Sequence, residues 1–207
     1  MKTTMKMNPI CFGFMAVCVL SSTSVFAQAV APAKALELAL HRLEKLVILK
    51  KIDASFQTKM KSMKIELIAH ATSADPSYKT TIYQLQGSDG SSKALEVIMN
   101  EEGKTISSQV YAGVESNSAT VWPDKDAVTL SEDALHYVID NATTNPMVAP
   151  FNAYATTLNL SQSTDSQGKT TAVVLIKNSI NGLTLKEVLA VDGTFISASV
   201  LADEAQP

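Results

Sequence analysis

The chain has 207 residues, 46% of them hydrophobic, with 17 Lys and Arg against 20 Asp and Glu and a formal net charge of −3. That balance argues against a nucleic-acid or anionic-membrane partner, because such binding requires a basic patch. The only two cysteines, Cys11 and Cys18, fall within the first 27 residues.

Those 27 residues read as a signal peptide. Lys2 and Lys6 form a basic start, 10–20 is apolar, and Val25 and Ala27 place small side chains where a signal peptidase reads them. The apolar run is far shorter than the ~20 residues that a spanning helix needs. The expected product is an exported chain, periplasmic or extracellular, that begins at Gln28 and has no integral membrane segment. It keeps 15 basic and 20 acidic residues, a net charge of −5, and no cysteine. Disulfides, a thiol nucleophile and a Cys-based metal site are therefore excluded.

Residues 33–52 predict an amphipathic helix, with Leu36, Leu40, Leu43 and Val47 on one face. Asp53 is a candidate cap for a second short helix, because Phe56, Met60 and Met63 continue a helical spacing. From Lys64 the period becomes two. Strands are expected from there, over 79–86, from Leu95 with Val97 and Met99, and through Ile106 and Val110 to Ala112. A polar linker covers 113–123. Beyond it, 130–141 predicts a helix capped by Ser131 and stopped by Pro146 and Pro150. Four strands follow at 155–161, 169–177, 183–191 and 195–201, with turns at Asn181-Gly182 and Asp192-Gly193.

Residues 73–112 align without a gap on 163–202, an offset of 90, with 12 of 40 positions identical. Self-similarity of this kind predicts one structural unit made twice. The expected fold class is α+β: two repeats of a helix packed on a four-stranded antiparallel sheet, at 28–112 and 124–207. The strand at 172–176, apolar on both faces, predicts that the first repeat covers the second face to face.

The run DAVTLSEDAL at 126–135 opens a helix, LKEVLAVDGTFI at 185–196 forms a hairpin around Gly193, and ALEVIMNEEG at 94–103 follows the same pattern. In these runs the chain resembles tandem PepSY-like domains. Its layout is similar to that of the beta-lactamase inhibitory proteins, whose disulfides it lacks. The resemblance implies non-catalytic binding that restrains a protease or another enzyme.

Site residues are few. Trp122, at the junction of the halves, is either a binding anchor or a plug between them. Tyr83, Tyr111 and Tyr154 are candidates for a binding face or for edge packing. His136 with Asp133 and Asp140 offers a one-His, two-carboxylate metal face, although an ordinary helix surface explains the same residues better. Asp124, Asp126, Glu132 and Asp133 suit calcium in type but match no EF-hand spacing, and helix-end electrostatics accounts for them. His70 with Asp75 imitates a catalytic pair, yet no Gly-x-Ser-x-Gly elbow is present. Met60, Met63 and Met99 read as core fillers.

The resulting expectation is a non-enzymatic module, with no metal and no cofactor, that binds a protein or peptide and acts as an inhibitor or regulator of an envelope enzyme. The alternative is a periplasmic carrier of a small apolar ligand or lipid, for which a cavity would open beneath the first helix.

Overall fold

The computed structural model describes residues 29–67, 78–84, 93–112, 125–178 and 180–202. The expected signal peptide, Trp122, His70, Asp75 and Asp124 lie outside the described residues.

Among the described residues, twelve elements follow one another: α1 (Pro32–Ile48), α2 (Ser55–Thr58), β1 (Met60–Leu67), β2 (Tyr78–Gln84), β3 (Lys93–Met99), β4 (Thr105–Ala112), α3 (Ala127–Asn141), α4 (Ala149–Tyr154), β5 (Ala155–Thr164), β6 (Thr170–Asn178), β7 (Leu183–Ala190) and β8 (Phe195–Ala202). Pro32 begins α1, where its fixed φ and missing N–H cost nothing. Asp126 caps α3 by accepting from Thr129 N at 2.8 Å. The expected cap, Ser131, is instead buried one turn inside and donates to the Ala127 carbonyl. Pro150 opens α4, a helix the sequence reading did not foresee.

The eight strands form one antiparallel sheet in the order β4-β3-β2-β1-β5-β6-β7-β8. This overturns the expected two repeats of a helix on a four-stranded sheet. The halves join edge to edge, with Met63 opposite Leu158 and flanked by the pairs Ser62–Asn159 and Lys64–Thr157. An open strand edge carries a row of unpaired backbone groups, and pairing β1 with β5 satisfies two such edges at once. Helix α1 packs on α3 and also reaches β5, so the helices form a shared layer.

The doubly apolar strand β6 is accordingly not sandwiched between the two halves. Ala172, Val174 and Ile176 are buried on the helix side. Val173 and Leu175 point to the other side, half-buried among same-face neighbours that include Ser161, Val188, Asn159 and Lys186.

The gap-free offset of 90 holds for the hairpins, since Lys93–Ala112 corresponds to Leu183–Ala202, but fails across β2. By register, Tyr78 occupies the place of Ala172, an offset of 94. The Lys79-Thr80-Thr81 match to Lys169-Thr170-Thr171 is thus four residues out of phase. Around the β1–β5 junction the matching offset is 95: Leu40 and Leu135, Leu43 and Val138, and Phe56 and Phe151 are all buried counterparts. A register shift between Met60 and Ser62 explains why Met60 and Met63, three apart, both face the core from a strand rather than from a helix.

Candidate interaction site

Among the described residues, all four helices lie on one side of the sheet, which leaves two places for a partner: the face without helices and the outer edges. The helix-free face is largely polar. Lys64 and Lys79 both pair with Glu66 there, holding the Glu66 carboxyl down at about 2. Tyr83 and Tyr111 stand on this face on either side of Ala94, which is directly opposite both of them and is nearly fully buried. The Tyr111 hydroxyl lies 3.3 Å from Glu96 Oε1. The structure therefore brings two of the predicted tyrosines together. Tyr154 is exposed at the end of α4, away from them.

The outer edges are β4 and β8, eight residues each. Their sequences, TISSQVYA and FISASVLA, contain no charge and no proline. Ile106 is 52% exposed and Val110 39% on β4, and Phe195, Ile196 and Leu201 are exposed on β8. Edge strands are ordinarily protected against pairing by charges, prolines or a cover.

Beside β4 lies a cleft of about 610 Å³, bounded by Arg42 and Leu46 of α1, by Lys51 and Ile52, and by Leu95 and Ser107–Val110 of the β3–β4 hairpin. A second hollow of about 250 Å³ adjoins it at Phe56 and Lys93. Arg42 Nη2 donates to Ser108 Oγ at 3.2 Å, while Arg42 Nε is buried with no acceptor. At the corresponding place in the other half, Tyr137 stacks on Phe195 with ring centroids 4.5 Å apart. The space beneath α1 itself is filled, because Leu36, Leu40 and Leu43 are fully buried.

The helix pair carries two His–Glu contacts. His136 Nε2 lies 3.0 Å from Glu37 Oε1, and His41 Nε2 lies 3.5 Å from Glu132 Oε1. Burial raises the Glu37 carboxyl, but Lys34 and then His136 outweigh it, so its pKa falls below the ordinary value. Burial and the nearby Glu44 push Glu132 up to about 7. His136 thus faces Glu37 rather than Asp133, which pairs with Lys125 at 2.6 Å. Asp126 is engaged as the α3 cap, the helix-end role expected of it. Among the described residues no three His, Cys, Asp or Glu side chains gather to hold a metal ion. No helix among them is long and apolar enough to cross a membrane.

Sequence reasoning missed Arg42, Lys51 and Ser108, which meet only through the fold, and Glu187. The Glu187 carboxylate is 0% exposed, neither oxygen has a hydrogen-bond partner, and burial pushes it up to about 8. Its position between Leu185 and Leu189 on the alternating face was a readable signal.

No family model matches the chain, and neither the curated proteins nor the solved structures contain a significant match.

Proposed function

We propose that this is an exported, non-catalytic module that binds a protein by accepting one of the partner's extended segments at an open sheet edge. The observation that carries the reading is the pair of uncharged, proline-free edge strands β4 and β8. An added strand gains main-chain hydrogen bonds, and alternate side chains supply specificity. The resemblance to PepSY-like domains supports a partner that is restrained rather than modified.

The test is affinity capture from the organism's own envelope extract, with the wild type beside Ile106→Lys/Val110→Lys on β4 and Ile196→Lys/Leu201→Lys on β8. Edge lysines oppose strand addition. A partner kept by the wild type and lost from one edge variant supports the reading. Equal capture by all three proteins contradicts it.

A second reading, carriage of a small apolar ligand, would use the apolar part of the cleft beside α1, formed by Leu46, Ile52, Leu95 and Val110. Native mass spectrometry of the protein as isolated tests it: a bound lipid supports carriage, and the mass of the bare polypeptide argues against it.

A further inference from the structure

We infer that β4 is the receiving edge and that the cleft beside it takes an acidic side chain of the incoming segment. The inference rests on the edge-binding reading above and adds the chemistry that would make one edge selective.

Antiparallel neighbours place directly opposed side chains on the same face, with Cβ atoms about 5 Å apart. Ser108 and Val110 point to the helix side of β4, opposite Val97 and Leu95. A strand added outside β4 therefore sets its alternate side chains next to Ser108 and Val110, over the cleft. The residue beside Ser108 meets Arg42, which lines the cleft and whose guanidinium already reaches Ser108. A carboxylate there pairs with the guanidinium in a charge-assisted hydrogen bond. Lys51 adds positive charge to the wall of the same cleft. This basic pocket stands out on a chain whose acidic residues outnumber its basic ones. Flanking apolar side chains of the segment would rest on Leu46, Ile52 and Val110. The β8 edge has no such pocket residue: the position matching Arg42 is Tyr137, occupied in its stack with Phe195, and the position matching Ser108 is Ala198.

The probe is a displayed library of random twelve-residue peptides, selected on the immobilised full-length protein. The expected result is enrichment of β-prone sequences with Asp or Glu among apolar residues. A representative peptide, remade with Gln or Asn at the acidic position, should bind at least about tenfold more weakly. Arg42→Gln should cost the acidic peptide a similar factor and leave the amide peptide unaffected. Lys51→Glu, an exposed change that does not disturb the core, should weaken the acidic peptide if Arg42→Gln folds poorly. Ile106→Lys/Val110→Lys should abolish binding.

Enriched peptides without acidic preference, still lost from the β4 variant, would overturn this inference and leave the edge reading standing. Acidic peptides still bound by the β4 variant would overturn it too, because the cleft would then act without the strand. No enrichment at all would overturn both.

Discussion

Replacing Glu187 with Leu should stabilise the protein and flatten its response to pH. Glu187 lies on the helix side of β7, directly opposite Val174 and Ala198, with Leu185 and Leu189 on the same face. Its counterpart in the other half, 90 residues earlier, is Val97, fully buried opposite Ser108. Burial alone raises the carboxyl from 4.5 to about 8. Between those values the unfolded chain has released its proton while the folded chain retains it. The associated stability is complete below about pH 4.5 and is lost as the pH rises towards 8. At 1.36 kcal/mol per pH unit, the full loss is about 5 kcal/mol, of which roughly 3–4 kcal/mol falls between pH 5 and pH 8. For a domain of this size that corresponds to a shift in Tm of about 10 °C. Urea unfolding of wild type and Glu187→Leu at intervals from pH 5 to pH 8 measures it. The difference between the two proteins should widen by roughly 3–4 kcal/mol across that range, which isolates Glu187 from other titrating groups. Parallel profiles would refute the claim that a lone proton is held in the core.

Other consequences are smaller or more local. Glu132, raised to about 7 by burial and Glu44, should weaken the α1–α3 contact as the pH rises through 7, and Glu132→Gln should remove that step from an NMR titration of the helix amides. Met63→Ala, at the pair that joins the two halves, should cost about 2–5 kcal/mol in denaturant unfolding, with a single transition because the sheet is continuous. Gly193 has a φ of 87°, and a Cβ there would meet the Lys125–Asp133 pair; Gly193→Ala should lose more stability by thermal unfolding than Gly168→Ala, whose φ of 80° faces open space.

Individual elements were legible where the pattern is local. Leu95, Val97 and Met99 alternate and all face the core, and 33–48 lies within the amphipathic stretch read as a helix. The assembly of those elements was not legible. Nothing in β1 or β5 announces that they pair, because one edge satisfying another is a long-range event that leaves both strands with ordinary alternation. The register shift at Met60–Ser62 disguised a strand as a helix by moving the buried positions three apart. The identical Lys-Thr-Thr runs fixed an alignment that the longer β2–β3 connection displaces by four residues. The site shows the same division. Tyr83 and Tyr111 could be named from the sequence, but their meeting across Ala94 depends on register. Arg42 and Ser108 are 66 residues apart and come together only when α1 lies over β3 and β4.

Amide hydrogen exchange is the most direct test of the functional account, recorded on the protein alone and then with a saturating acidic peptide from the selection. The account predicts slowed exchange at alternate amides of 105–112, where the free edge of β4 acquires a strand, and no change along 195–202. Protection confined to β8 or to the helix-free face, with β4 exchanging as before, would contradict it.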